Sequence, residues 1–225
     1  MPQPEPGVTP PALVLLAAGD GSRMGRPKAL LDFHGTPWLE QQLSVFATAG
    51  GRQAVIVLGT EAPRHFHTLP WLPHPGIWTP WNTLSLATCV NPDPTRGLTS
   101  SLHLALTLVP DHGVLVQPVD IPLPPPDLLA ALCATPLDPR DSLQPANGPR
   151  RGHPLRLGPQ LATLLSRQDP DDPTRRLDHD VARLARHRLT LPTESPLPFL
   201  NLNEPTDWER FLTEHGSKNP PIPNR

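Results

Sequence analysis

A glycine turn followed by cationic side chains stands near the amino terminus. The apolar run 14–18 predicts a short buried strand, and Gly19 and Gly21 directly after it predict a turn with positive φ. The cationic residues that follow are Arg23, Arg26 and Lys28. Exposed backbone N–H groups and guanidinium groups together suit a polyphosphate. A solvated turn with surface arginines is the alternative that these residues leave open.

The spacing of this turn excludes two familiar phosphate-binding motifs. It reads G-x-G-x-x-x-G, which misses the dinucleotide fingerprint by one residue, and it lacks the GK[ST] ending of a P-loop.

A carboxylate follows a second apolar run. The stretch "GVLVQPVDIP", 113–122, predicts a strand that ends at Asp120. Ligands collect beyond the carboxyl ends of strands in parallel sheets, so we expect Gly19 and Asp120 to share one site. Asp120 could ligate Mg²⁺ together with phosphate oxygens, or it could simply be a turn residue or helix cap.

Apolar strands alternate with amphipathic helices along the chain, which predicts an α/β fold with a mostly parallel sheet covered on both faces. One helix is predicted with Thr36 as N-cap, Pro37 at its first position and Gly50 at its end, and another from Thr99 or Ser100. Strands are predicted over 53–59 and 188–192, with a weaker candidate over 76–82. Further elements are a helix in "PPDLLAALCAT", a hairpin around Gly148 and Gly152, helices near 158–167 and 173–187, and a last helix from Pro205.

Length and composition narrow the class of protein. The chain has 225 residues, and we expect one domain over 11–215, with disordered segments at 1–10 and 216–225. A net charge of -2 disfavours a general nucleic-acid binder. The two cysteines, Cys89 and Cys133, form no metal-binding motif and fit a reduced cytoplasm. With no apolar run near the length of a bilayer, we expect a cytoplasmic protein without membrane contact.

The stretch "LLAAGDGSRMGRPKALLDFHGTPWLE" resembles the amino-terminal signature of the MobA-like nucleotidyltransferases, especially the CTP:molybdopterin cytidylyltransferase branch. That signature is LAAGxSxRMGxxKxLL, and the spacing from Arg23 to Lys28 matches it without a gap. Further similar segments are "NPDPTRGLTSSLHLAL", "QPVDIP", "RRGHPLRL", "DDPTRRLDHDV" and "NLNEPTDWERF". The resemblance implies a three-layer, mostly parallel Rossmann-like sheet of the nucleotidyltransferase type.

The resemblance also implies an Mg²⁺-dependent transfer of a nucleotidyl group from an NTP to a phosphorylated acceptor, with release of pyrophosphate. The implied catalytic residues are Arg23, Lys28 and Asp120. The implied nucleotide-binding residues are Leu16, Ala17, Ala18, Gly19, Gly21, Ser22, Gly25, Lys28, Gly97, Ser100 and Ser101. The implied acceptor-binding residues are His153, Arg175 and Asn201, and the implied metal ligands are Asp120 and Asn203.

Several of these roles have structural alternatives. Ser100 or Thr99 could cap a helix, and His153 could be a structural residue of a strand. Ala18 and the "RGHP" strand favour CTP, whereas paired asparagines such as Asn201 and Asn203 occur in the guanylyl branch and favour GTP. On balance we expect CTP to be the nucleotide.

The resemblance implies a molybdopterin-type acceptor and a molybdoenzyme or chaperone as partner. We expect a monomer or weak homo-oligomer. Two other functions remain open: a nucleotidyltransferase for a sugar phosphate or another phosphorylated metabolite, and a non-catalytic module that binds and delivers a nucleotide or cofactor.

Overall fold

The computed structural model describes residues 10–19, 21–170, 172 and 174–216. The segments predicted to be disordered lie outside these residues, except for Pro10 and Gly216. The strands are β1 (Ala12–Ala17), β2 (Asp32–Phe33), β3 (Thr36–Pro37), β4 (Gln53–Leu58), β5 (Thr79–Trp81), β6 (Leu84–Val90), β7 (Val114–Pro118), β8 (Ser142–Asn147), β9 (Arg150–Arg151), β10 (Leu155–Leu157) and β11 (Arg188–Pro192). The helices are α1 (Trp38–Thr48), α2 (Ala62–Thr68), α3 (Leu98–Leu108), α4 (Pro126–Ala134), α5 (Pro159–Ser166), α6 (Leu177–Leu184) and α7 (Pro205–His215).

One large sheet has the strand order β11-β8-β10-β7-β1-β4-β6-β5, and β9 pairs with β8. Its centre is parallel, because β1 pairs in parallel with both β4 and β7, and β4 pairs in parallel with β6. Antiparallel strands flank this centre: β10 beside β7 and β5 beside β6. The short strands β2 and β3 form a separate hairpin. The predicted α/β fold with a mostly parallel central sheet is therefore confirmed.

The central strands are buried on both faces, which explains their nearly continuous apolar sequences. In β1, Leu13 and Leu15 face a core that also contains α1, α4 and α7 residues. The alternate residues Val14 and Leu16 face a second core built with α3, α5 and α6. Helices thus cover both sides of the sheet, and the molecule has three layers.

Several predicted boundaries differ from the structure. Thr36 does not cap α1, because it pairs with Phe33 in the β2–β3 hairpin and the helix begins at Trp38. The weak third strand over 76–82 is reduced to β5, an antiparallel edge strand in which Pro80 is tolerated. The actual neighbour of β4 is β6, which the sequence analysis missed. The strand predicted to end at Asp120 ends two residues earlier, at Pro118.

Among the described residues, none of the helices combines the length and the apolar character that crossing a bilayer requires.

Candidate active site

The glycine loop follows directly on β1 and is shaped by two left-handed residues. Gly21 has φ 64° and Gly25 has φ 67°, whereas Gly19, which was predicted to have positive φ, does not. A Cβ atom at Gly21 would overlap the carbonyl oxygen of Arg26. The loop therefore closes on itself only with glycine at position 21.

This loop forms one wall of a cavity of about 310 Å³. The cavity is lined by Leu16, Ala18, Gly19, Gly21, Arg23, Lys28, Pro94, Gly97, Leu98, Ser101, Pro118, Val119, Asp120 and Asn203. Most of the predicted nucleotide and metal residues therefore come together here. Ala17, Gly25 and Ser100 do not line the cavity, and the side chain of Ser22 lies outside what the structure describes.

Lys28 links the two predicted metal ligands. Its Nζ donates to Asp120 Oδ2 at 3.0 Å and to Asn203 Oδ1 at 2.6 Å. The side chains of Lys28 and Asp120 retain 18% and 25% of their exposure, so the ion pair lies at the cavity wall. Two oxygen atoms and the Lys28 ammonium therefore meet at one point beside the glycine loop.

The loop that carries Asp120 is held by hydrogen bonds to Val119. The Val119 N–H donates to the Leu16 carbonyl at the end of β1 (3.0 Å). Its carbonyl accepts from Trp38 Nε1 at 2.7 Å and from Gln42 Nε2 at 3.1 Å, both on α1. Asp120 is thereby fixed beside the end of β1 although it lies outside a strand.

Asn203 is positioned by the start of α7. The Leu202 N–H donates to the Asp120 carbonyl at 2.8 Å, and Asp207 Oδ2 accepts from the backbone N–H groups of Asn203 (3.1 Å) and Glu204 (3.0 Å). Glu204 and Asp207 form a capping box at this helix end. The amide of Asn203 therefore reaches the cavity from a rigid helix start.

The donor set suits a hard divalent cation that also binds phosphate. Asp120 and Asn203 offer a carboxylate and an amide oxygen, and both already face one cation, the Lys28 ammonium. Within the described ranges, no group of three or more His, Cys, Asp or Glu residues is placed to hold a metal. Mg²⁺ typically takes one or two carboxylates and fills its other positions with substrate phosphates and water. Such a cation fits these residues.

The start of α3 forms the opposite wall of the cavity. The helix begins at Leu98 after Gly97, which has φ 85°, and neither Thr99 nor Ser100 caps it. Ser100 Oγ instead donates to the Gly97 carbonyl at 2.8 Å. The first N–H groups of an α-helix have no partner within the helix, and Leu98 and Ser101 of this turn line the cavity, so the start of α3 suits an anionic or carbonyl oxygen.

Asn91 orders this helix start, and sequence reasoning did not select it. It is 2% exposed, and its Nδ2 donates to Ser100 Oγ and Ser101 Oγ, each at 2.9 Å. Its own N–H donates to the Leu58 carbonyl at the end of β4 (2.8 Å). The segment "NPDPTRGLTSSLHLAL" contained the signal, but its asparagine was not distinguished from a turn residue. Cavity-lining Pro94, Leu98, Pro118 and Val119 were also missed.

A second cavity, of about 520 Å³, adjoins the first through Gly97 and Leu98. It is lined by Gly97, Leu98, Thr99, Gln144, Arg151, His153, Leu155, Arg175, Arg176, Leu177, Asp178, Val181 and Arg188. The structure thus brings two of the predicted acceptor residues, His153 and Arg175, to one cavity. The third, Asn201, is exposed and lines neither cavity.

Burial gives these two acceptor candidates different chemistry. It lowers the pKa of His153 despite a nearby carbonyl of Val116 and the carboxylate of Asp120, which both act to raise it. His153 is therefore neutral near pH 7. The side chain of Arg175 is 7% exposed, and its Nε and Nη1 donate to Asp180 Oδ2 (2.9 Å) and the Asp169 carbonyl (2.8 Å). Its buried Nη2 has no partner among the described residues.

Comparison with known proteins decides the family. The model of the MobA-like NTP transferase domain matches residues 13–187. The chain belongs to this family. The matched segment contains the glycine loop, Lys28, Asp120 and the residues that line the second cavity apart from Arg188, whereas Arg188, Asn203 and α7 come after it.

One curated relative and two solved structures are similar along most of this chain. A protein of Xanthomonas euvesicatoria pv. vesicatoria (strain 85-10), named molybdenum cofactor guanylyltransferase, is 32% identical over 213 residues, which are 90% of this chain and 94% of that protein. A nucleotidyl transferase of Methanothermobacter thermautotroptrophicus superposes with a TM-score of 0.68 at 21% identity, covering 92% of this chain and 97% of the other. A manganese complex of a Mycobacterium tuberculosis H37Rv protein superposes with a TM-score of 0.64 at 22% identity, covering 91% and 99%.

Proposed function

We propose that this MobA-like chain is an enzyme that transfers a nucleoside monophosphate from an NTP to the phosphate of a molybdopterin-type acceptor and releases pyrophosphate. The family supports nucleotidyl transfer, and the Xanthomonas relative's name supports the molybdenum cofactor as acceptor. The observation that carries the proposal is the meeting of Lys28, Asp120 and Asn203 beside the glycine loop.

In the proposed reaction an oxygen of the acceptor phosphate attacks the α-phosphorus of the NTP. The bond from the α-phosphorus to the oxygen bridging it to the β-phosphorus breaks, and pyrophosphate leaves with that electron pair. The step needs positioning and neutralisation of charge rather than a covalent nucleophile.

Separate groups of this chain position the substrates and neutralise their charge. The N–H groups of the glycine loop hold the triphosphate, Arg23 neutralises the pyrophosphate, and Lys28 stabilises charge at the α-phosphate. Asp120 and Asn203 would hold a divalent cation, for which we propose Mg²⁺. That ion would supply further positive charge for the phosphate oxygens.

For the nucleotide we place GTP ahead of CTP. The sequence analysis favoured CTP on Ala18 and the "RGHP" strand. The relative matched over 94% of its length is named a guanylyltransferase, and the paired asparagines agree with that branch. Pyrophosphate release with GTP and CTP in separate reactions, each with molybdopterin, tests the choice. Faster turnover with CTP at equal concentration would reverse it.

The acceptor is tested with the same assay. We expect turnover with molybdopterin and none with a panel of sugar phosphates. Activity with a sugar phosphate alone would refute the proposed acceptor while leaving nucleotidyl transfer intact.

Variants of the cavity separate an enzyme from a module that only binds. Asp120→Ala should abolish turnover while GTP still binds, and Arg23→Ala and Lys28→Ala should each lose about 2 to 4 kcal/mol of transition-state stabilisation. Arg52→Ala serves as the control, because Arg52 is an exposed arginine that lines neither cavity. Unchanged kcat/KM in all three cavity variants would contradict the proposed roles.

A further inference from the structure

The second cavity concentrates positive charge in a chain whose net charge is -2. Among the described residues, four arginines line it, and Asp178 is the one acidic residue that does so. Asp180, which lies behind the wall, is already bound to Arg175 and to Arg183. Clustered arginines of this kind are typical of sites for phosphate and other oxyanions.

The four arginines are not equally available to a ligand. The Arg175 side chain is 7% exposed, and its Nε and Nη1 donate to Asp180 and the Asp169 carbonyl, whereas its buried Nη2 has no partner among the described residues. Arg176 Nε donates to Asp178 Oδ1 at 3.2 Å. Arg151 and Arg188 are exposed, and the side chain of neither has a hydrogen bond or ion pair with another part of the chain that the structure describes. Their guanidinium groups are therefore free to bind an anion.

The sheet fixes the backbones of these two arginines. Arg151 lies on β9 opposite Ala146 of β8, and Arg188 lies on β11 opposite Ser142 of the same strand. Gln144, between those two positions on β8, also lines the cavity. Arg151 and Arg188 thus approach the cavity from the two sides of one strand, about 13 Å apart along it. That spacing is wider than a single phosphate group, so it suits an organic ligand rather than a small free ion.

The remaining wall of the second cavity supplies apolar contact. Leu98, Leu155, Leu177 and Val181 line it, and the neutral imidazole of His153 adds a polar group without charge. A volume of about 520 Å³ lies within the usual range for small-molecule sites. The lining therefore suits a phosphate monoester of an organic molecule with an apolar face.

We propose that Arg151 and Arg188 bind the phosphorylated acceptor in the second cavity. This inference rests on the proposed function. The shared wall of Gly97 and Leu98 places such an acceptor directly beside the nucleotide cavity. The proposed acceptor site adds to Arg175 two arginines that the sequence analysis did not select.

The test measures binding of two phosphate monoesters, molybdopterin under anoxic conditions and glucose 1-phosphate, to the whole protein without nucleotide. Wild type should bind at least one of them. Arg151→Ala and Arg188→Ala should each raise its Kd about tenfold to a hundredfold, as expected for loss of a charge-assisted hydrogen bond. Arg52→Ala should leave that Kd unchanged, and the Kd for GTP should be unchanged in all three variants.

Charge-conserving variants keep the test valid if an alanine variant unfolds. Arg151→Lys and Arg188→Lys should lose less affinity than the alanine variants, because lysine keeps the charge but not the two-pronged hydrogen bonding. Arg175→Lys should lower the melting temperature, whereas the substitutions at Arg151 and Arg188 should not.

The outcomes distinguish this inference from the proposed function. If glucose 1-phosphate binds and reacts while molybdopterin does not, and the two alanine variants weaken that binding, the proposed acceptor fails and the arginine site stands. If the alanine variants bind every phosphate monoester as tightly as wild type, or wild type binds none, the arginine site is refuted even where nucleotidyl transfer is real.

Discussion

Lys28 is the residue on which the candidate site depends most. Its ammonium lies between Asp120 Oδ2 and Asn203 Oδ1, the two oxygens that we propose as metal ligands. A divalent cation and this ammonium therefore compete for the same oxygens. A bound triphosphate offers Lys28 other oxygens, so the nucleotide and the cation should favour each other's binding.

Replacing Lys28 tests this competition through metal affinity alone. Without nucleotide, Lys28→Met should bind Mn²⁺ at least several-fold more tightly than wild type, because Asp120 and Asn203 lose their internal cation. Electron paramagnetic resonance of free Mn²⁺ measures that affinity. Lys28→Arg keeps the charge and is the control, which should bind Mn²⁺ as weakly as wild type. Equal Mn²⁺ affinity in wild type and Lys28→Met would contradict the competition.

Gly21 tests the shape of the phosphate-binding loop. Gly21→Ala combines a positive φ with overlap on the Arg26 carbonyl, so the loop must open and GTP affinity should fall more than tenfold. Isothermal titration calorimetry gives this affinity. The control is Gly148→Ala, since Gly148 also has positive φ (56°) but open space around its Cβ position. If both variants bound GTP like wild type, the loop would not be the phosphate site.

At the scale of elements, the catalytic groups come from several separate segments. The glycine loop follows β1, Asp120 follows β7 and Asn203 precedes α7. The last of these is attached by aromatic packing, because the Trp208 ring on α7 lies 5.2 Å from that of Trp38 on α1, measured between centroids. The position of Asn203 therefore depends on an interface outside the cavity.

Trp208→Ala tests this dependence. Trp208 is 7% exposed, so its removal should cost about 3–5 kcal/mol of unfolding free energy. The variant should also lose nucleotidyl transfer more than GTP binding, because Asn203 is displaced while the glycine loop is not. Urea unfolding and steady-state kinetics measure the two effects. Glu209→Ala, an exposed change on the same helix, is the control. A Trp208→Ala enzyme with wild-type stability and turnover would refute the role of this interface.

The elements that sequence patterns predicted well are those with a single strong signal. The strand over 53–59 is observed as β4, the strand over 188–192 as β11, and the last helix begins at Pro205 as predicted. β6 was not predicted, because Ser85, Thr88 and Cys89 interrupt its apolar sequence although the strand is largely buried. Thr36 was misassigned because a threonine before a helical pattern has the signature of an N-cap, while tertiary pairing placed it in a hairpin.

At the scale of the whole molecule, the sequence predicted those site residues that have suitable side-chain chemistry and also follow the end of a predicted strand. Lys28 and Asp120 were selected from sequence, and the structure places them 3.0 Å apart although 92 positions separate them. Asn91, Arg151 and Arg188 were not selected, because nothing local marks a buried asparagine or two unpaired arginines. Only the strand order brings β9 and β11 to opposite sides of β8.

Buried and partly buried histidines should make the stability of the fold depend on pH. Burial lowers the pKa of His65, His103 and His153 from the ordinary value, which is about 6.5. The folded state therefore resists protonation that the unfolded state accepts. The stability from these neutral rings is complete above pH 6.5 and is lost as the pH falls below it. Urea unfolding at pH 7.5 and pH 5.5 should show a smaller free energy at the lower pH.

A single substitution isolates one of these histidines. His65 is 1% exposed, and its Nδ1 lies 2.9 Å from the Glu61 carbonyl, which requires a proton on that nitrogen. His65→Gln removes the titrating ring and should reduce the pH dependence between 7.5 and 5.5. His67→Gln, on the exposed side of the same helix, should leave it unchanged. An unfolding free energy of wild type that is equal at the two pH values would contradict the account of the buried histidines.

A crystal structure with a non-hydrolysable GTP analogue and Mg²⁺ tests the central claim most directly. We predict that the triphosphate lies in the cavity between the glycine loop and Asp120, with Arg23 on its β- and γ-phosphates and Lys28 moved from Asp120 onto a phosphate oxygen. A triphosphate bound in the second cavity, or bound with Lys28 and Asp120 still paired and remote from it, would contradict the claim.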